Sequence, residues 1–302
     1  MRFELNFSVV TVLEIIQRSA EFLGSKGIDS PRLQSELLLA HALRVPRLKL
    51  YLDFERTLTP AELATVRQLV KRRSKREPLQ HILGSASFCG LEIQVNAQVL
   101  IPRPETELLA ECAWQFLNSL PATTSAPLTA LDFGTGSGCL AIALAAHCPR
   151  AQISASDISP AALAVARQNA ASHQLAARIR FFEGDGFRAL PPEERFDLIV
   201  SNPPYIPSAE IATLAPEVRE YDPRIALDGG PDGLDFYRLL AGHAAAGLRP
   251  GGKIMLEFGD GQAEAIRRIF IPQQWIIEAI ASDNTGRPRI LVACPEAAGG
   301  MA

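Results

Sequence analysis

Two short segments carry the residue types that chemistry requires. The first is Asn202-Pro203-Pro204-Tyr205, which follows the apolar run Phe196–Ser201. Two consecutive prolines fix φ and remove N–H donors, so the turn is stiff and its carbonyls face outward. The Asn202 side-chain carbonyl and the Pro203 backbone carbonyl can then accept both hydrogens of an –NH₂ group, while Tyr205 can stack on a flat acceptor. Two acceptors on those hydrogens draw the nitrogen out of conjugation and aim its lone pair at an electrophile. Such a site suits a planar amide or amino nitrogen. The second segment is Asp132-Phe133-Gly134-Thr135-Gly136-Ser137-Gly138. Its glycines permit tight turns and close approach of a ligand, and the helix that follows offers free N–H groups. Asp157 ends the next strand, where a carboxylate can accept from both hydroxyls of a ribose. Asp185 follows a third strand and can face an adenine amino group. Dinucleotide binding is the competing reading of the glycine loop, but its G-x-G-x-x-G spacing fails because Cys139 holds the last position.

The elements that must position these residues alternate between strand and helix. Apolar runs at Leu128–Phe133, Gln152–Asp157, Ile179–Glu183 and Phe196–Ser201 read as strands, and so do Gly252–Phe258, Trp275–Ala281 and Arg289–Ala293. Helical stretches lie between them at Cys139–His147, Pro160–His173, Leu234–Leu248 and Gln262–Phe270. This alternation predicts a mainly parallel α/β sheet covered on both faces, with ligands beyond the carboxyl ends of its strands. Before it, residues 78–103 read as a β-hairpin linker with breaks at Gly84 and Gly90, and Pro104 opens a further helix. The stretch from Asn118 to Thr129 reads as a surface loop.

The first 77 residues have helical spacing. Leu13, Ile16, Ala20 and Leu23 share one face, and Gly24 and Gly27 follow as stop signals. Ser30 stands as a capping residue before Pro31, and Thr59-Pro60-Ala61-Glu62 forms a capping box with proline just inside it. The expected organisation is a helical, substrate-recognising domain at 1–77, the hairpin at 78–103, a catalytic domain at 104–295 and a flexible tail at 296–302.

Bulk properties exclude several classes. No apolar run reaches the length of a bilayer span, and the N-terminal segment MRFELNFSVV lacks the features of a secretory signal. The five cysteines are scattered without C-x-x-C, which argues for a reducing, cytoplasmic setting and against a metal site. Residues 1–90 hold 14 Lys+Arg against 9 Asp+Glu, and the remainder 16 against 24. Much of the basic excess sits in Lys71-Arg72-Arg73-Ser74-Lys75-Arg76, read as a solvated helix face in preference to a nucleic-acid patch.

The G-x-G-x-G loop with an acid after the second strand resembles class I (Rossmann-like) methyltransferases. That resemblance implies S-adenosylmethionine as cofactor, S-adenosylhomocysteine as product, and an acid such as Asp132 near the methionine part. Asn-Pro-Pro-Tyr is shared by several nitrogen methyltransferases, including enzymes acting on adenine in DNA and guanine in rRNA. The motifs Ile101-Pro102-Arg103-Pro104-Glu105-Thr106-Glu107, Ala226-Leu227-Asp228-Gly229-Gly230-Pro231-Asp232-Gly233-Leu234 and Leu256-Glu257-Phe258-Gly259 appear in order with the two segments above. Together they resemble the release factor glutamine methyltransferase (PrmC/HemK) family over nearly the whole chain. The resemblance implies methylation of the glutamine in the Gly-Gly-Gln motif of class I peptide chain release factors. It implies cofactor contacts from Gly134, Thr135, Gly136, Ser137, Gly138, Asp157, Asp185, Gly186 and Asn202, and a substrate grip from Asn202 through Tyr205, with Asn202, Pro203 and Tyr205 catalytic. Neither a membrane nor a stable nucleic-acid partner is implied. Where the family often carries an aromatic residue after the acid of strand three, this chain has Gly186, so that stacking on the adenine is either weaker or supplied by Phe187. Phe133 and Phe258, in place of smaller aliphatics, read as changes of packing. Arg103 and Glu105 either organise the pocket or serve as an interdomain ion pair or helix-start charge, and Asp228 and Asp232 read as loop and cap residues. The rival functions are methylation of a nucleic-acid base amino group and a nucleotide-binding module without activity.

Overall fold

The computed structural model describes residues 10–121, 127–283 and 285–296. Expectations for residues 1–9, for 122–126 within the surface loop and for the tail beyond 296 lie outside the described residues. The chain forms two compact units. One runs to Gly84 and also takes in Pro216–Tyr221; the other comprises Ser85–Ala215 and the residues from Asp222 onward.

The first unit is helical: α1 (Val12–Ser25), α2 (Pro31–Leu43), α3 (Arg47–Leu52), α4 (Pro60–Arg73), α5 (Leu79–Leu83) and the single turn α9 (Pro216–Arg219). Capping boxes open α1 at Thr11 and Glu14 and α4 at Thr59 and Glu62, each satisfying two N–H groups that the helix start leaves unpaired. Ser30 does not cap α2. It lies at φ 46° with no side-chain bond to the helix, and Pro31 starts the helix through its own fixed φ. Ile15, Ile16, Leu23, Leu38, Leu39, Val66 and Val70 meet in one buried cluster. Helices this short depend on that shared burial, about 1.5–3 kcal/mol per enclosed aliphatic side chain.

The basic run is not simply a solvated face. Arg73 is only 5% exposed. It donates to Gln34 Oε1 at 2.7 Å, to the Glu77 carbonyl at 3.1 Å and to Glu217 Oε1 at 3.0 Å. Arg76 pairs with the same Glu217 and Arg72 with Glu77. Three of the cations are therefore committed to internal partners.

The second unit opens with an antiparallel hairpin, β1 (Ser85–Phe88) and β2 (Leu91–Gln94), turning on Cys89 and Gly90, both at positive φ. The hairpin is shorter than the predicted linker, because α5 takes the residues before Gly84. After α6 (Pro104–Ser119) come β3 (Leu128–Phe133), α7 (Cys139–His147), β4 (Ala151–Asp157), α8 (Pro160–Ser172), β5 (Ile179–Glu183) and β6 (Phe196–Ser201). There follow α10 (Asp235–Gly247), β7 (Leu248–Glu257), α11 (Ala263–Phe270), β8 (Trp275–Ser282) and β9 (Pro288–Pro295). The seven-stranded sheet has the order β5-β4-β3-β6-β7-β9-β8, parallel from β5 to β7, with β9 antiparallel to both of its neighbours. β7 begins at Leu248, earlier than the strand expected from Gly252, because Leu248 pairs with Phe196 ahead of a register shift.

Alternation along β3 sorts the core. Ala130 enters the cluster shared with α6, α7 and α8, whereas Leu131 and Phe133 enter the one shared with α10 and α11. Both faces are thus covered, as the strand–helix alternation requires. From β3 the chain moves outward through β4 and β5, then returns to the other side of β3 with β6. A crevice for ligands opens at such a reversal, beyond the strand ends.

Candidate active site

A cavity of about 210 Å³ occupies that crevice, lined by residues from the ends of β3, β4, β5 and β6. Gly134 and Gly136 turn beneath it at φ 73° and 54°, and a Cβ on either would meet nothing within 4 Å. Their amide groups are arranged by β4. Gly134 N and Thr135 N both donate to the Ser156 carbonyl at 2.9 Å, and Gly136 N donates to Asp157 Oδ2 at 2.8 Å. Asp157 Oδ1 accepts from Ser159 N at 2.9 Å, while Ser159 itself caps α8. Asp157 is thus not the helix cap. Each of its oxygens holds one backbone N–H and keeps a second lone pair for a ligand.

Not every predicted cofactor residue reaches the cavity. Gly134, Gly136, Asp157, Asp185, Gly186 and Asn202 line it; Thr135, Ser137 and Gly138 do not. Thr135 is buried and donates to Asp132 Oδ2 at 2.6 Å. The Ser137 carbonyl accepts from Asn169 Nδ2, and the same buried Asn169 bonds the backbone of Gln94 in both directions. Gly138, at φ 82°, is a packing glycine, since a Cβ there would lie 3.0 Å from Ala166 Cβ. Asp132 also stands behind the loop. Its Oδ2 accepts from Ala141 N in the first turn of α7 at 3.0 Å, and its Oδ1 is buried without a partner. Burial pushes its carboxyl up to about 7, against the lowering hydrogen bonds from Thr135 and Ala141.

The adenine side differs from the expectation for Phe187. Phe187 packs against Phe133, ring centroids 5.1 Å apart, and is absent from the lining. Phe133 itself lines the cavity, with Leu100, Ile158, Ile225 and Leu239, so its size shapes the pocket as well as the core. Phe258 is fully buried in the core, in keeping with a packing role. Arg103 pairs with Asp222 at 2.5 Å. The partner immediately precedes the cavity-lining Pro223, Ile225 and Ala226, so Arg103 holds one wall of the pocket and is no interdomain bridge.

The acceptor loop leaves β6 under tight control. Ser201 Oγ donates to the Phe133 carbonyl at 2.6 Å, tying the loop's origin to the glycine turn. Asn202 and Pro204 face the cavity; Pro203 is buried, and Tyr205 packs behind the loop against the core of α10 and α11. Burial pushes the Tyr205 phenol up to about 12. Three supporting residues escaped sequence reasoning. Asn202 Nδ2 donates to Thr106 Oγ1 at 2.9 Å, and Thr106 Oγ1 donates to Glu257 Oε2 at 2.7 Å. Gln262 Nε2 donates to the Tyr205 carbonyl at 2.9 Å. Thr106 and Glu257 lie in motifs visible in the sequence, but nothing there signals that they meet. Asp228 accepts from Ser208 and Gly230 within its loop, and Asp232 Oδ1 accepts from Leu234 N ahead of α10, as their loop and cap readings require.

Comparison with known proteins fits this geometry. Residues 14–84 match the PrmC N-terminal domain model and residues 112–217 the methyltransferase small domain model. A release factor glutamine methyltransferase of Geobacter sulfurreducens is 47% identical over 281 residues, covering 93% of this chain and 95% of the relative. One of Chlorobaculum tepidum is 46% identical over 260 residues, covering 85% and 88%. This chain belongs to the release factor glutamine methyltransferase family. As a member of that family it is an S-adenosylmethionine-dependent methyltransferase. Among solved structures, the hMettl16 catalytic domain in complex with MAT2A 3′UTR hairpin 6 shares the fold, with a TM-score of 0.51 and 16% identity over 75% of this chain and 81% of that one. The residues of the cavity fit the family's cofactor. Glycines leave open space at the floor, Asp157 and Asp185 offer acceptors for hydroxyl and amino groups, and aliphatic side chains with Phe133 wall a slot for a flat ring. Among the described residues no helix is long and apolar enough to cross a membrane, and no cluster of three or more His, Cys, Asp or Glu could hold a metal ion.

Proposed function

We propose that this chain transfers a methyl group from S-adenosylmethionine to the side-chain amide nitrogen of the glutamine in the Gly-Gly-Gln motif of class I peptide chain release factors, and so modulates translation termination in the cytoplasm. The observation that carries this reading is the fixed amide of Asn202. Its Nδ2 is engaged by Thr106, which leaves Oδ1 as the end that can accept from an incoming –NH₂ group. S-adenosylmethionine, bound in the cavity, supplies a sulfonium methyl group open to displacement by a weak nucleophile.

The residues of this chain then have separable roles. Asp157 and Asp185 hold the nucleoside part, and Gly134 and Gly136 let the backbone approach it. Phe133, Ile158 and Leu239 flank the flat ring. Asn202 Oδ1 and the Pro203 carbonyl accept the two amide hydrogens, with Tyr205 behind the loop keeping it in place. The nitrogen lone pair is thereby withdrawn from the substrate carbonyl and aimed at the methyl carbon. Among the described residues no His, Lys or Arg lines the cavity, and the proton that the nitrogen sheds after transfer goes to water. The helical unit, residues 1–77 of the sequence reading, recognises the protein substrate. Because Arg72, Arg73 and Arg76 are internally paired, it offers less of a cationic surface to nucleic acid than its composition implies.

Labelled methyl transfer is measured to a purified release factor, to its Gly-Gly-Ala variant and to DNA. Only the wild-type release factor is expected to accept label. Equal labelling of the Ala variant, or labelling of DNA alone, sinks the reading. Asn202→Ala is expected to abolish transfer while weakening cofactor binding far less.

A further inference from the structure

Asparagine is chemically ambiguous, because a half-turn about its last bond exchanges the acceptor for two donors. A site that grips an –NH₂ group through Asn202 works in only one of the two orientations. With Nδ2 facing the acceptor, donor meets donor.

Something must therefore select the orientation, and the structure contains a device suited to that. Thr106 is the third residue of α6, and Glu257 is the last residue of β7. They are 151 residues apart in sequence, yet Thr106 Oγ1 donates to Glu257 Oε2 at 2.7 Å, and both side chains are 2% exposed. A hydroxyl has a single proton. Once it is given to an ionised carboxylate, which has none to offer, the oxygen can only accept from its other neighbour, so the chain runs one way where the Glu257 carboxyl, pushed up by burial to about 7, has lost its proton. That neighbour is Asn202, 2.9 Å away, and only Nδ2 can supply the hydrogen. The Glu257 main chain is fixed in turn, since its carbonyl accepts from the buried Tyr237 hydroxyl at 2.8 Å.

We propose that Thr106 and Glu257 are positioning residues whose one-way hydrogen-bond chain locks the Asn202 amide with its carbonyl toward the acceptor nitrogen. The inference rests on the role given to Asn202 under the proposed function. Neither residue lines the cavity, so both act through Asn202 and not on substrate. A buried carboxylate with this placement is costly to a fold, and packing alone would favour an apolar side chain. Its presence at the end of β7 is accounted for by the orientation it imposes on Asn202, two hydrogen bonds away.

The test is steady-state methylation of a purified release factor by the whole chain at pH 8, where Glu257 is ionised, with calorimetric binding of S-adenosylhomocysteine and thermal unfolding measured in parallel. Thr106→Val keeps the shape and removes the proton. Its kcat is expected to fall about 10–100-fold, the size of loss seen at metal sites when a hydrogen bond that orients a ligating side chain is removed, with S-adenosylhomocysteine affinity little changed. Thr106→Ser restores kcat, and Thr106→Val added to Asn202→Ala causes no further loss. Glu257→Met provides an independent check. It removes the acceptor while relieving a buried charge, so kcat falls although the unfolding temperature is unchanged or raised. A Thr106→Val enzyme with wild-type kcat, beside an inactive Asn202→Ala, overturns the chain and leaves the proposed function standing. Equal losses of kcat, cofactor affinity and thermal stability in Thr106→Val and Glu257→Met mark a merely structural role and overturn it too. An active Asn202→Ala instead defeats the reading of the acceptor loop on which the inference stands.

Discussion

Two glycines of the cofactor loop, Gly138 and Gly134, should fail in different ways when each is replaced by alanine. Gly138 lies at φ 82°, and its added Cβ would sit 3.0 Å from Ala166 Cβ, 3.2 Å from Ala166 Cα and 3.3 Å from Ile142 Cδ1. The left-handed backbone costs a side chain about 1–2 kcal/mol. Two of the crowding atoms belong to α8, one of them main chain, so relief requires a helix shift, and overpacking adds about 1–3 kcal/mol. Gly138→Ala should therefore lose about 2–5 kcal/mol, which for a unit of this size lowers the unfolding temperature by on the order of 10 °C. Gly134 has a similar φ of 73° but open space before it. Gly134→Ala should cost only the backbone increment of about 1–2 kcal/mol, while its methyl group intrudes on a cavity that Gly134 lines. Binding of S-adenosylhomocysteine should weaken at least about tenfold, equivalent to 1.4 kcal/mol. Thermal unfolding and calorimetric titration of the two variants separate the outcomes. A Gly138→Ala protein with unchanged stability, or a Gly134→Ala protein as destabilised as Gly138→Ala yet binding normally, would refute the division of the loop into packing and ligand-facing glycines.

Other perturbations have equally defined outcomes. Gln262→Ala removes bonds to the Tyr205 and Gly233 carbonyls and from Gly259 N. It should lower kcat and leave S-adenosylhomocysteine affinity intact, and an unchanged kcat would show that the acceptor loop holds without it. Phe133→Leu should weaken cofactor binding more than Phe187→Leu, because only Phe133 lines the cavity; the reverse order in a titration would restore Phe187 as the ring partner. Burial raises the Glu257 carboxyl to about 7, aided by Glu105 and opposed by Thr106, Arg289 and Arg103. A carboxyl raised in the fold contributes stability that is complete below its unfolded value of 4.5 and is lost as pH rises through about 7. The loss is on the order of 3 kcal/mol, from 1.36 kcal/mol per unit. Relative to wild type, Glu257→Met should therefore gain thermal stability between pH 5 and pH 8. A constant difference across that range would contradict the buried, raised carboxyl.

Much of this site can be read from local sequence. The strands that end at Phe133, Asp157, Glu183 and Ser201 announce themselves by short apolar runs, and the glycine turn and Asn-Pro-Pro-Tyr follow two of them directly. What local sequence cannot express is which polar residues meet across the fold. Thr106 and Asn202 are 96 positions apart, and each by itself is an ordinary polar residue in a helix start or a turn. Gly138 and Gly134 are alike in sequence and nearly alike in φ, yet only the placement of α8 makes one a packing residue. Proximity to Asp185 in sequence does not fix the direction of the Phe187 ring, which packs into the core while Phe133 lines the pocket. Ser30 shows the same limit at short range. A serine before proline is a capping signal, but its backbone entered the left-handed region and left the helix start to Pro31.

The Ala226–Leu234 motif has an explanation in the demands of the acceptor loop. A Cβ on Gly229 would lie 2.8 Å from the Pro204 oxygen and 2.9 Å from Tyr205 Cα, and one on Gly233 would lie 2.3 Å from the Tyr205 oxygen. These glycines are bare because the backbone of Pro204 and Tyr205 rests on them. The contact is hydrogen-bonded along its length, with Ile206 N donating to the Leu227 carbonyl and Gly229 N to the Ile206 carbonyl. Gly259 closes the other flank, where a Cβ would meet the Tyr205 ring at 3.0 Å, and Gln262 links both sides. Two distant glycine-bearing motifs thus serve a single purpose, to hold four residues still. An amide nitrogen is a poor nucleophile whose reactivity depends on how its hydrogens are held, and acceptors free to follow the substrate would leave the amide planar and unreactive. Rigidity of the acceptors is therefore the chemical requirement, since their work is done only if they are in place before the nitrogen arrives.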